Sequence, residues 1–445
     1  MKKYQPVIGL EIHAQLKTKS KMFCSCINNP EGEPNKHTCP VCLGHPGILP
    51  TINRRAVRMV LKTGRALGAR ALTHSKFDRK NYNYPDLPKG YQISQYDQPL
   101  TKGGELNKIR VRRVHLEEDT GKLLHEEGKT LIDFNRAGTP LMELVTEPDI
   151  KTATEAKKFC QDLQNIFRYL EVSEANMEKG EMRCEVNISL KGKGPKVEIK
   201  NLNSFRAVER SILYEIKRQS KTDKIIQETR GWDESQGVTV SQRAKEEAQD
   251  YRYFPEPDLP EMEVSDWKVS LPELPEVKAK RFLKEYKLPK DDIDILVKDK
   301  SLADYFEGVV SELSDKKLIK SVVNYVLKAK ENYKKITGEN LAELVEMIEK
   351  GDVSSSAADV VLREMQKTGG DPSNILKDKD LGQVSSPQEL GKVVALVIKN
   401  NKKAVLDFEK GNENSIKFLV GAVMAETKGK ANPEVAERIL RESLS

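Results

Sequence analysis

The sequence predicts an α+β protein, with a largely antiparallel sheet domain carrying helices first and an all-helical remainder after it. Three observations carry that prediction. Several short segments alternate apolar and polar residues with the period of two expected of strands buried on one face. All six histidines lie before residue 126 and all six cysteines before residue 185, so the reactive side chains belong to the sheet portion. Beyond a stretch holding Pro255, Pro257, Pro260, Pro272, Pro275 and Pro289, prolines become rare and apolar residues recur at helical spacing.

A chain of 445 residues has room for two or three domains with cores of their own. Its 38% hydrophobic and 32% charged residues describe a soluble, strongly charged globular protein. The net charge of +7, from 75 basic against 68 acidic residues, is a mild bias that admits a nucleic-acid partner without arguing for one. Met1-Lys-Lys-Tyr-Gln-Pro6 runs into the first strand without an apolar signal core, and aliphatic runs such as Val393 to Ile398 are too short to span a bilayer. The expectation is a cytoplasmic protein without membrane contact. There, closely spaced cysteines read as metal ligands more readily than as disulfides.

In chain order, Val7 to Lys17 is the first strand: Ile8, Leu10, Ile12, Ala14 and Leu16 are apolar, while Glu11, His13, Gln15 and Lys17 share the other face. That polar face fits either a solvated sheet surface or a cleft. Cys24-Ser-Cys26 and Cys39-Pro-Val-Cys42 follow, two close pairs whose four thiolates can converge on a structural zinc with no open position. Because Cys-x-Cys is tighter than a usual knuckle, His37 or His45 is an alternative to one sulfur. Ala56, Val57, Val60, Leu61 and Leu67 mark a helix.

The stretch from Ser75 to Pro99 has no steady period and interleaves Tyr82, Tyr84, Tyr91 and Tyr96 with Lys76, Arg79, Lys80 and Lys89. Aromatics among cations suit base stacking and phosphate contact, or equally a loop pinned by tyrosine hydroxyls and prolines. In Arg110 to Asp119, alternation groups His115, Glu117 and Asp119, with Glu118 on the side of Leu116; a turn at the acidic end would reverse that choice. Beside a Glu/His strand, such acids suit a hard divalent cation. The short apolar run Leu141 to Val145 contains Glu143.

Thr152-x-x-Glu155 is a capping box opening a helix whose stripe includes Cys160, so that thiol reads as core. Met182 to Leu190 alternates again, with Arg183, Glu185, Asn187 and Ser189 on the polar face, and Val197 to Asn203 adds Glu198 and Lys200. In the last third, helical stripes at Leu318 to Val326 and Leu341 to Ile348 precede two further helix starts, Ser386-Pro-Gln-Glu389 and Asn432-Pro433. No G-x-G-x-x-G, G-x-S-x-G or H-E-x-x-H occurs, and Gly128-Lys-Thr130 has Leu123 where a phosphate loop needs glycine.

Seven motifs, in one order, resemble the GatB family of the tRNA-dependent amidotransferases: Val7-Ile-Gly-Leu-Glu-Ile-His13, Phe77-Asp-Arg-Lys-Asn-Tyr82, Tyr91-Gln-Ile-Ser-Gln95, His115-Leu-Glu-Glu-Asp119, Asn135-Arg-Ala-Gly-Thr-Pro140, Glu198-Ile-Lys-Asn-Leu-Asn-Ser204 and Asp250-Tyr-Arg-Tyr-Phe-Pro-Glu-Pro257. Phe418-Leu-Val-Gly421 and Gly429-Lys-Ala-Asn-Pro433 extend the similarity to the helical end.

The resemblance implies a cradle-like catalytic domain over 1–290, a helical domain over 291–385 and a small YqeY-like tail over 386–445. It implies a ligase component that uses ATP to phosphorylate the side-chain carboxylate of Glu-tRNA(Gln) or Asp-tRNA(Asn). Ammonia from the glutaminase partner GatA would then displace the phosphate, with GatC clamping the assembly. By the same resemblance Glu11, His13, Glu118, Glu143 and Glu185 form a magnesium shell. Glu11, His13, Lys80 and Glu118 are catalytic, and Lys80, Tyr82 and Arg183 meet substrate or ATP. Glu185 stands where many relatives have Asp. Cys24, Cys26, Cys39 and Cys42 hold structural zinc. The archaeal GatE proteins, with their inserted synthetase-like domain, are the nearest rivals within the resemblance. A zinc-stabilised, non-catalytic tRNA-binding scaffold is the alternative of another class.

Overall fold

The structure is a computed structural model and describes residues 4–244, 251–379, 381, 387–427 and 430–444. It divides the chain into two compact units at Pro275. Ser386, Gly429 and Asp250, which belong to the helix start and motifs above, lie outside the described residues.

The first unit is α+β. Among the described residues ten strands form one sheet. They are β1 (Pro6–Gln15), β2 (Arg70–Ala71), β3 (Thr101–Lys102), β4 (Glu105–Leu106), β5 (Ile109–Glu118), β6 (Pro140–Thr146), β7 (Met182–Leu190), β8 (Val197–Leu202), β9 (Glu228–Asp233) and β10 (Val238–Ala244). Their spatial order is β10-β9-β8-β7-β1-β6-β5-β3-β2, with β4 on β5. Every pairing is antiparallel except β8 with β9. The first strand therefore sits mid-sheet, between β6 and β7.

Alternation decides which face is buried. Ile8, Leu10, Ile12, Ala14 and Leu16 join one core with Val57 and Val60 of α1 (Arg54–Ala66), Phe159 and Leu163 of α2 (Ala153–Tyr169), and Val208 and Ile212 of α3 (Phe205–Lys221). Each helix starts where a polar side chain takes up its orphan amides. Asn53 accepts from Arg55 and Ala56, Thr152 with Glu155 forms a capping box, and Ser204 accepts from Ala207. Cys160 lies in this core 3.7 Å from the sulfur of Cys184.

One polar knot ties α3 to the sheet. The fully buried Glu215 accepts from Arg218 at 2.8 Å, Gln219 at 3.0 Å and Thr239 at 2.5 Å. Burial opposes its ionisation, but these hydrogen bonds and the Arg218 charge outweigh it and hold the carboxyl below the usual range. Glu215→Ala is expected to lose about 3 kcal/mol, because Arg218 and also Arg230, 3.4 Å from the carboxylate, lose a buried partner. Since the folded state depresses this acid, its contribution is complete above the unfolded value of about 4.3 and fades as pH falls through the folded one. Urea unfolding of the variant and parent at neutral and acid pH checks both points.

The second unit is helical, with two separate cores. One runs from Phe282 to Ile375, the other from Leu390 to Leu440. Helix Pro275–Glu285 brings Phe282 into the former, so this unit begins ahead of residue 290. The chain after residue 386 has the smaller core to itself. Gly351 ends helix Gly338–Lys350 in the left-handed region, and Asn432 caps helix Pro433–Leu444 by accepting from Glu434 and Val435. No described helix is long and apolar enough to cross a membrane.

Candidate active site

Cross-strand register assembles the site. Arg183 of β7 lies opposite His13 of β1, His13 opposite Glu143 of β6, and Glu143 opposite His115 of β5. Four chemically active residues thus form one row across four strands, on the face away from the helices. Glu11 and Glu185 oppose each other two residues along, and Glu117 stands two residues beyond His115 on the other side of the row. His13 Nε2 is 3.3 Å from Glu143, 3.6 Å from Glu117 and 3.9 Å from Glu11, while His115 Nε2 is 3.3 Å from the same Glu143 oxygen.

These groups set one another's charge. Burial, then the nearby Glu143, pushes the Glu11 carboxyl up to about 7. For His13 burial works the other way, but the Glu143 hydrogen bond and the charges of Glu143, Glu117 and Glu11 raise it to about 9. Glu143 is held well below the usual carboxylate range, since His115 and His13 overcome the cost of its burial. A proton on His13 thereby balances carboxylates that a cation would otherwise balance, and the two compete. Donor atoms of Glu11, His13 and Glu143, and of His115, Glu117 and Glu143, lie within 4.8 Å of one another. Carboxylate oxygens with imidazole nitrogen, left accessible along a Glu11 side chain that is 31% exposed, fit a hard divalent ion.

The expected residues fall in different places. Glu11, His13 and Glu143 come together. Glu118 departs from the expected shell: alternation turns it away, its carboxylate bonds Lys89, and it accepts from the backbone of Ile93 at 2.9 Å. Glu117, held by Ser94 at 3.1 Å, takes the place beside His13. Glu185 faces Glu11 from β7, but its carboxylate is bonded to Lys200 at 3.1 Å. Lys80 is set among tyrosines, 4.9 Å above the ring of Tyr251; burial opposes its charge, but Glu117, Tyr253 and Glu143 hold its pKa above the usual lysine range. Tyr82 donates to Gln92 at 3.3 Å, and Arg183 pairs with Asp119 at 2.8 Å. Strict alternation had already grouped His115 with Glu117; only the pairing of β5 with β6 makes His115 part of the row.

The four clustered cysteines also converge, their sulfurs within 4.8 Å of one another and those of Cys39 and Cys42 at 3.9 Å. A tetrahedral zinc with Zn–S of about 2.3 Å separates its sulfurs by about 3.8 Å, so the spacing fits that ion. Neither His37 nor His45 belongs to the group. Hydrogen bonds from Cys24 and the Cys39 amide, with the Lys21 charge, lower Cys42 to about 4 against the cost of burial. Lys21 is fully buried, 3.7 Å from Cys42 Sγ and 3.2 Å from the Phe134 carbonyl, and no sequence pattern singled it out. Asn135 clasps the same segment, bonding the carbonyl of Glu33 and the amide of His37, so the knuckle braces the loop that leads into β6.

A sheet whose exposed face gathers buried carboxylates and imidazoles, beside a braced thiol knuckle, is the scaffold of a catalytic domain, and the comparisons say which. Residues 6–270 match the family model described as the GatB/GatE catalytic domain, and residues 304–444 match the GatB domain. Curated relatives named as the B-type subunit of aspartyl/glutamyl-tRNA(Asn/Gln) amidotransferase include those of Persephonella marina, 46% identical over 99% of both chains, and Thermoanaerobacter pseudethanolicus, 46% identical over 100% of both. That of Brevibacillus brevis is 43% identical, again over the whole of both chains. The chain belongs to the GatB family of the tRNA-dependent amidotransferases. It is one component of a ligase-type transamidating enzyme.

Proposed function

We propose that this protein uses ATP to activate the side-chain carboxylate of Glu-tRNA(Gln) or Asp-tRNA(Asn) and converts it to the amide. The single observation that supports this best is the convergence of Glu11, His13, Glu117 and Glu143 with His115 on one sheet face. Those first four are the proposed magnesium ligands, with Glu117 in place of Glu118. Bound there, magnesium would offset phosphate charge, the main demand of phosphoryl transfer.

The chain's own residues do the positioning. Lys80, in electrostatic reach of Glu11, Glu117 and Glu143, is suited to a phosphate oxygen, as is the guanidinium of Arg183 next to His13. Glu185 and Lys200 close the β7 side of the row, and Tyr82 walls the other. In the first step a substrate carboxylate oxygen bonds the γ-phosphorus as the bond to ADP breaks. Ammonia, supplied by the glutaminase partner GatA, then bonds the acyl carbon. Inorganic phosphate leaves with its oxygen, and one ammonia proton passes to solvent. GatC and a cytoplasmic setting complete the proposed context.

A non-catalytic tRNA scaffold would account for the cysteines and the helical tail. It gives no reason to gather three carboxylates, two of them buried, against two imidazoles, an arrangement whose desolvation is costly. Reconstitution with the partner subunits tests the choice: ADP should form only when magnesium and a misacylated tRNA are both present. ADP formation that ignores the tRNA, or none at all, would sink the proposal. About one zinc per chain is also expected, four sulfurs serving one ion. Metal analysis should find it in the parent and not in Cys39→Ser/Cys42→Ser; a parent free of metal with four titratable thiols would exclude it.

A further inference from the structure

The aromatic residues between Tyr82 and Tyr253 form an ordered wall. Tyr96 and Tyr253 stack nearly parallel, with ring centroids 4.4 Å apart and planes 16° apart. Tyr253 meets Tyr251 edge-on at 6.1 Å, Tyr251 meets Tyr82 at 5.9 Å, and Lys80 Nζ lies 4.9 Å from the Tyr251 ring. The wall therefore runs from solvent to the lysine beside the carboxylate row. It is held from both ends by backbone. Asp78 accepts from the Tyr96 amide at 2.9 Å, Asn81 bonds the carbonyls of Tyr251 and Arg252, each at 2.8 Å, and Phe254–Pro255 pairs with Asp78–Arg79. Yet Tyr96 is 54% exposed. A tyrosine fixed at its amide, stacked on one face and open to water, makes a platform rather than a core contact.

We infer that Tyr96, backed by Tyr253, stacks an adenine base of a substrate entering the carboxylate site. This rests on the function proposed above, whose two substrates, ATP and an aminoacyl-tRNA with its 3′-terminal adenosine, both carry that base. Stacking supplies affinity without sequence readout, which suits an end common to every tRNA. The phosphate or aminoacyl end would then point along the wall toward Lys80.

Equilibrium binding to the full chain separates the two sources. The probes are ATP with magnesium, an acceptor-stem minihelix ending in CCA, and the same minihelix ending in CC. Tyr96→Ala is expected to weaken ATP or the CCA probe roughly tenfold, as loss of one stacked base does. Tyr96→Phe, which keeps the ring, should bind like the parent, and Tyr253→Ala should follow Tyr96→Ala. If tRNA is the source, the CC probe is insensitive to Tyr96→Ala; if ATP is, the two minihelices behave alike. Unchanged affinities in Tyr96→Ala, equal losses in Tyr96→Phe, or no binding of either adenine probe to the parent would overturn the platform. ADP formation by the parent complex is scored separately, so failure of the platform is distinct from failure of the functional proposal.

Discussion

Glu143→Gln is expected to cut tRNA-dependent ADP formation by about 10²–10³-fold, the scale on which a single preorganised electrostatic group acts. Among the described residues Glu143 is the one common to both candidate cation groups, and the same oxygen of its carboxylate faces His13 and His115, each at 3.3 Å. The substitution keeps the size and one hydrogen-bonding oxygen while removing the charge. The fold should survive, because His13 can shed the proton that Glu143 helped it hold, and Arg113, 3.9 Å from Glu143, keeps part of its side chain in water. Steady-state ADP release together with a thermal melt checks both halves. Near-parental turnover from a folded Glu143→Gln protein would remove the row from the mechanism.

The neighbours Glu117 and Glu118 should fail in opposite ways. Glu117 points at His13 and takes a hydrogen bond from Ser94, so Glu117→Gln is expected to behave as Glu143→Gln does, with lost turnover and a parental melting temperature. Glu118 bonds the ammonium of Lys89, and both side chains are almost wholly buried. Glu118→Gln removes the negative charge that faces this ammonium, and the rings of Phe23 and Tyr91, 6.0 and 5.7 Å away, do not replace it. Removing one partner of a buried pair costs about 3–5 kcal/mol, or roughly 10 °C of melting temperature for a unit of this size. Glu118→Met/Lys89→Met, which removes both charges, should recover much of that loss. A Glu118→Gln protein of full stability and no turnover would return Glu118 to the metal shell and displace Glu117.

The division between these two glutamates also marks how far the sequence could be read. Alternation placed His115 and Glu117 on one face and Glu118 with Leu116, and the strand keeps that order. The resemblance favoured Glu118, because motif position does not say which way a side chain turns. The convergence of the four cysteines was legible from their spacing, although spacing alone left His37 or His45 open as a substitute for one sulfur. Lys21 was not: a lysine between Ser20 and Met22 breaks no pattern, and its burial depends on Cys42 and on a carbonyl more than a hundred residues away. The polar face of β1, equally a wet surface or a cleft by its period, became part of a site when Glu143 and Arg183 were registered on either side of it.

The sequence by itself determined the class of fold, the apolar and polar faces of each strand, the helix starts and the thiol cluster. These are local properties, written in the pattern of a few neighbouring residues and in the backbone's two periods. Tertiary structure alone decided that Arg183, His13, Glu143 and His115 form one row, that Glu118 belongs to Lys89, and that Tyr96 stacks on Tyr253. Each of those is a pairing between segments far apart in the chain. Strand order and register create such pairings, and no period within a single strand encodes them.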